Sequence, residues 1–116
     1  MSNILESFNN QFFAIVEQVK SGNFTEAIIY AQSLNKSIDL CFKTNEQKPL
    51  DSQLSDQLIY LSGKNYSVMG KCFFLLCDYG NAKKSFINAA YCFSGYNNLQ
   101  NDMWNCLLHY GCCYTE

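Results

Sequence analysis

The sequence predicts an all-α chain of about five helices, joined as antiparallel hairpins. Three observations carry the prediction. Apolar residues recur at spacings of three and four along most of the 116 residues, the period of a helix with one buried face. The single Pro, Pro49, lies in a polar stretch without periodicity, so the periodic runs are free of the strongest helix breaker. Nearly half the residues are hydrophobic and 16% are aromatic, enough apolar surface for one modest core and too much for a disordered chain.

The first helix is expected over residues 3–20. Leu5, Phe8, Phe12, Ile15, Val16 and Val19 form its stripe. Ser21-Gly22 punctuates its end, with Gly22 suited to a left-handed C-cap. Asn23-x-x-Glu26 has the form of a capping box opening a second helix, which runs to about Phe42 on Phe24, Ala27, Ala31, Leu34, Ile38 and Cys41. A helix, a short glycine turn and a helix make antiparallel neighbours, so hairpin 1 covers about 3–42. Residues 43–52, K-T-N-E-Q-K-P-L-D-S, read as a surface loop, with Asp51 or Ser52 as N-cap of the next helix. A long third helix is expected from about 53 to Cys77, with Leu54, Leu58, Leu61, Met69, Phe73 and Leu76 near one face. Gly63 is expected to kink it or to end an extra turn. The run Cys72–Cys77 is apolar all round, which predicts burial on more than one side. The fourth helix, about 79–94, turns Tyr79, Ala82, Phe86, Ala89, Ala90 and Phe93 inward and Lys83 and Lys84 to water. It completes hairpin 2, about 53–95. A terminal helix, about 99–114, follows and is unusually apolar.

The central stretch, Tyr66 to Ala89, has a feature of its own. Gly70 interrupts an apolar helical run, and a helix-interior Gly costs about 1 kcal/mol relative to Ala. Close approach of a second helix would explain it. The fourth helix supplies a small-large-small stripe, Ala82, Phe86 and Ala89, at spacings of four and three.

These residues resemble the tetratricopeptide repeat, whose pattern is W-x2-L-G-x2-Y followed by A-x3-F. Tyr66, Met69, Gly70 and Phe73 stand at the first four positions, and Ala82, Phe86 and Ala89 fall in register. Asp78-Tyr79 is similar to the turn between the repeat's helices. The closing Pro of the repeat is absent, with Ser94 near its place. The first hairpin resembles a degenerate copy: G-N-F-T-E-A parallels C-D-Y-G-N-A, but Ile15 stands where Gly70 does and Ala31 where Phe86 does. Leu107, Tyr110, Gly111 and Tyr114 mirror Tyr66, Met69, Gly70 and Phe73. The spacing from Ala27 to Ala82 exceeds one period of about 34 residues, so something is inserted between the hairpins. The resemblance implies a single domain over 1–116, a right-handed α-α superhelix or compact bundle, and a fragment of a longer array is one expectation for it. It also implies a non-catalytic scaffold that binds a peptide or helix of another protein in a groove lined by the first helix of each hairpin. The groove residues so implied are Tyr60, Tyr66, Ser67, Lys71, Phe74, Asn105 and His109. The packing residues are Gly70, Phe73, Ala82, Phe86 and Ala89. A subset of the family clamps a C-terminal carboxylate with Lys, Asn and Arg. Here the corresponding positions offer Asn65, Ser67 and Lys71 and, on the last helix, Asn105, Leu108 and His109, and the chain has no Arg, which disfavours such a clamp.

Composition narrows the function. A net charge of −2 lacks the basic footprint of a nucleic-acid binder. Seven scattered Cys do not form a disulfide framework, and free thiols are commonly small buried hydrophobes. The N-terminus has neither a basic region nor a long apolar run, so no signal peptide is expected. No segment has the roughly 18 apolar residues of a membrane span. A cytoplasmic location is expected, with the nucleus as its variant. Cys106-x2-His109-x2-Cys112-Cys113 is the best metal candidate, since zinc takes Cys and His ligands. Ligands on one continuous helix fit a tetrahedron poorly, and no metal, cofactor or catalytic residue is expected. The alternatives are a three-helix adaptor over residues 3–77, resembling microtubule-interacting and trafficking domains, and a small thiol- or zinc-dependent enzyme. The apolar terminal helix, with Trp104, Leu107, Leu108 and Tyr110, leads to one more expectation: self-association through it.

Overall fold

Five helices build the chain in the computed structural model, which describes residues 2–44, 52–96 and 100–115, with side chains described between residues 4 and 111. They are α1 (Ser2–Lys20), α2 (Phe24–Thr44), α3 (Ser52–Leu75), α4 (Tyr79–Ser94) and α5 (Gln100–Thr115). No strand occurs among the described residues. The expected loop shrinks at both ends, since residues 43 and 44 close α2 and Ser52 opens α3. The rest of that loop, Asp51 as a cap, and the polar Asn97-Asn98 stretch lie outside the described residues. The overall extents are 45 × 30 × 20 Å. The short dimension matches two helices of about 10 Å diameter stacked face to face.

Two short turns set the hairpins, and they are built alike. After α1, Gly22 adopts φ +81°. Its N–H donates to Val19 O at 3.0 Å and the Asn23 N–H donates to Gln18 O at 2.9 Å, the two bonds of a Schellman turn. After α3, Cys77 takes the same role with φ +63°. Its N–H donates to Phe74 O at 3.0 Å, and the Asp78 N–H donates to Phe73 O at 2.8 Å. The parallel read from G-N-F and C-D-Y therefore extends to hydrogen bonding. The caps that follow differ. Asp78 accepts from the Asn81 backbone N–H and from Asn81 Nδ2 at 2.8 Å. Asn23 instead donates its Nδ2 to Gln18 Oε1 at 2.9 Å, so the expected capping box with Glu26 does not form.

Helix α3 is the centre of the packing. It contacts α1, α2 and α4, and its seam with α4 is the most extensive in the molecule. That seam is cut by two glycines. A Cβ on Gly70 would lie 2.6–2.8 Å from the ring of Phe86, so the expected close approach at Gly70 is present. A Cβ on Gly63 would lie 2.5 and 2.7 Å from the ring of Phe93 and 3.0 Å from Cys92 Cβ. Gly63 does not end an extra turn, since α3 continues through it; it is a second notch, two turns before Gly70, filled by a Phe two turns after Phe86. Both rings are buried.

Three apolar clusters result. The largest joins α1, α2 and the face of α3 bearing Leu54, Leu58, Leu61, Met69 and Cys72, with Ile15, Ala27, Ala31, Leu34 and Ile38 opposite. Ala89, Ala90, Phe93 and Cys106 form the second, between α4 and α5. Ala82 and Phe86 form the third, with Phe73, Phe74, Tyr79 and Tyr110 against them. One polar pair crosses the first cluster. Asn65, fully buried, donates through Nδ2 to Ala31 O at 2.8 Å and to Asn35 Oδ1 at 2.9 Å, while Asn35 Nδ2 approaches Met69 Sδ at 3.3 Å. Asn65 Oδ1 is a buried oxygen with no hydrogen-bond partner. The expected all-round burial of Cys72–Cys77 does not occur: Cys72 is buried, but Leu75, Leu76 and Cys77 are exposed because the helix unwinds there into its turn.

Candidate functional site

One opening lies between α3 and α5, with α1 and α4 at its sides. Lys64, Ser67, Val68 and Lys71 form one stripe of α3, and Asp102, Asn105, Cys106 and His109 form a stripe of the same spacing on α5. Residues so spaced share a helix face. The two stripes line a hollow of about 280 Å³, with Phe12 of α1 and Phe93 of α4 at its sides. A second hollow, about 290 Å³, is lined by Lys71, Phe74, Leu75, Phe86 and His109. The two share Lys71 and His109 and form one groove with a polar half and an apolar half.

Several side chains of the groove have identifiable contacts. The His109 ring stacks on Phe86, centroids 5.2 Å apart and planes 26° apart. Its Nδ1 lies 2.7 Å from the Asn105 carbonyl oxygen. A carbonyl only accepts, so Nδ1 donates and Nε2 is left for other contacts. Lys64 Nζ lies 5.2 Å from the centre of the Phe12 ring and 4.8 Å from that of Tyr60, a cation between two aromatic faces. Lys71 is exposed. Among the described residues the one ion pair is Lys20–Glu17 at 3.6 Å, so the Lys71 charge is available. Cys106 is buried, and burial pushes its thiol above the usual range, against the opposing hydrogen bond from Ser67 and the nearby Lys71 charge. Among the described residues no three His, Cys, Asp or Glu side chains gather as a metal site; the Cys112 and Cys113 side chains lie outside the described set.

Of the residues expected in the groove, Ser67, Lys71, Asn105 and His109 line the first hollow, and Phe74 joins Lys71 and His109 in the second. Tyr60 and Tyr66 do not line it. Tyr60 packs on Phe93 with ring centres 5.9 Å apart. Tyr66 sits between the first and second clusters, and burial, with Asp39 and Cys92 adding to it, raises its phenol above the ordinary 10.0. Asn65, considered for a carboxylate clamp, points away into the α2 side of the core. Lys64, Val68 and Asp102 escaped the sequence reading, and Cys106 entered it only as a metal candidate, although helical spacing from Lys71 and His109 leads to all four. Phe12 carries no such signal, because only the fold brings α1 alongside.

The class that the fold and groove define is an all-α bundle of helical hairpins with an open interhelical groove. Comparison with protein-family models, curated proteins and solved structures finds no match. Among the described residues no helix is long and apolar enough to cross a membrane.

Proposed function

We propose that the chain is a non-catalytic, protein-binding scaffold built from hairpins like those of the tetratricopeptide repeat, and that it takes a peptide or helix of another protein in the α3–α5 groove. The single observation that carries this reading is the apolar hollow between Phe74, Leu75, Phe86 and His109, open to solvent beside an unpaired Lys71. Its volume of about 290 Å³ is at the bottom of the range for small-molecule sites, about 300–1,000 Å³, and suits one large apolar side chain rather than a cofactor. A carboxylate on the same segment would meet Lys71. A cytoplasmic setting accords with this reading.

A displayed library of amphipathic helical peptides, selected on the purified chain, tests it. Enriched peptides should combine a large apolar anchor with a nearby acidic residue. Leu75→Glu and Lys71→Glu, both at exposed positions, should each weaken their binding about tenfold or more, the loss expected when one anchor or one charge pair is removed from a small interface. Enriched peptides indifferent to both changes would refute the groove. A second reading, the three-helix adaptor, draws on the continuous core of α1, α2 and the α3 face and on the opening between α1 and α2 beside Ile4, Phe8 and Leu40. Sensitivity to Leu40→Glu in place of Leu75→Glu would move the site there.

A further inference from the structure

Helix α5 has a second side, which the groove does not use. Trp104, Leu108 and Gly111 follow one another at spacings of four and three, so they share a stripe of the helix, roughly opposite buried Cys106. Trp104 is 58% exposed and Leu108 66%. Among the described residues nothing lies within 4 Å of a Cβ built on Gly111. Within this fold the two glycines buried in α3 are both filled: Gly63 takes Phe93 and Gly70 takes Phe86. The rule of that seam is simple. Notches two turns apart on one helix receive rings two turns apart on an antiparallel one. On α5 a notch and a ring, Gly111 and Trp104, stand two turns apart on the same helix.

We infer that this side of α5 is the interface for a second copy of the chain. Two antiparallel α5 helices related by a two-fold axis place Trp104 of each copy over Gly111 of the other, with the Leu108 side chains near the axis. An interface across a two-fold must be self-complementary, residue i meeting j while j meets i, and a ring and a notch at this spacing satisfy that condition on one helix. Asn101, Trp104, Leu108 and Gly111 carry no charge, so two copies of this acidic chain oppose no like charges there. The area sets the strength. The two Trp rings hide at most about 300–500 Å², and the helix-length contact stays below the roughly 1,200 Å² at which stable complexes begin. The dimer is therefore weak and exchanges rapidly. It leaves Lys71, Asn105 and His109 uncovered, so it stands independently of the proposed groove.

Trp104 is the only Trp of the chain, which makes its emission a direct probe. The full chain, in reducing buffer, is followed by sedimentation equilibrium and intrinsic fluorescence from about 1 μM to about 1 mM, a range that brackets weak association. The average mass should rise from 13.3 kDa toward twice that value, and Trp104 emission should shift to the blue over the same range. Gly111→Leu fills the notch and should remain monomeric throughout with unchanged far-UV circular dichroism; Trp104→Ala should behave alike. Lys71→Glu should dimerise as the parent does. A monomer at the highest concentration, a dimer without a Trp104 shift, or a dimer that survives Gly111→Leu would overturn the inference.

Discussion

Adding one methyl group to α3 at Gly70 tests the seam on which the fold depends. In an exposed helix Gly→Ala stabilises by about 1 kcal/mol, and at Gly70 that gain must be set against the ring of Phe86. The new Cβ would stand 2.6, 2.7 and 2.8 Å from three of its carbons, about 1 Å inside the best carbon–carbon separation of about 3.5–4.0 Å. The ring has no room to retreat: Phe86 is 1% exposed and is backed by the His109 imidazole at 5.2 Å. Forcing an extra carbon into such packing costs about 1–3 kcal/mol, so Gly70→Ala should forfeit the helix gain and destabilise by a net of up to about 2 kcal/mol, a drop of several degrees in Tm at the upper end. Gly111→Ala is the control, since its Cβ meets nothing; it should stabilise the dilute chain by about 0.5–1 kcal/mol. Urea titration at low concentration gives both values. Combining Gly70→Ala with Phe86→Leu should cost less than the sum of the single changes, as expected for residues in contact. If Gly70→Ala stabilises the chain as Gly111→Ala does, the two helices do not touch there and the reasoning fails.

Two further predictions concern the interior. Asn65→Leu removes the donor to Ala31 O and Asn35 Oδ1; each orphaned acceptor costs about 1–3 kcal/mol, and adding Asn35→Leu should recover part of the loss in urea unfolding, because one of the orphans disappears with it. Burial raises the thiols of Cys72, Cys92 and Cys106 above their ordinary 9.0. The folded state therefore holds their protons more tightly than the unfolded chain. Their contribution is intact below about pH 9 and is lost as pH rises beyond it. Tm in reducing buffer should be level through neutral pH and fall above about pH 9, less steeply for Cys72→Ala.

The residues that could be read from sequence are those whose partners lie close along the chain. Gly22, the Asp78-Tyr79 turn, and the Gly70–Phe86 contact all belong to one hairpin or one turn. Gly63 was open to the same logic, since it stands two turns from Gly70 just as Phe93 stands two turns from Phe86. It was expected instead to kink the helix or to end an extra turn. Asn65 entered only as a clamp position that the resemblance implies, and nothing local in the sequence announces Ala31 O and Asn35 as its partners. Within the groove, Ser67, Lys71, Asn105 and His109 came from the resemblance, and their spacing sets each pair on one helix face. Tyr60 and Tyr66 were not excluded in advance, because both phenols are amphipathic and only packing decides whether such a ring lines a cleft or closes a core.

Helix order along the chain also governs how the molecule can assemble. Apart from the touch between α1 and α3, the substantial partnerships join consecutive helices. Few distant segments must find one another, and little loop-closure entropy opposes the search. Chains wired in this local way are among the quickest to reach their native state. Growth can start wherever two adjoining rods first clasp and then spread one rod at a time toward each terminus.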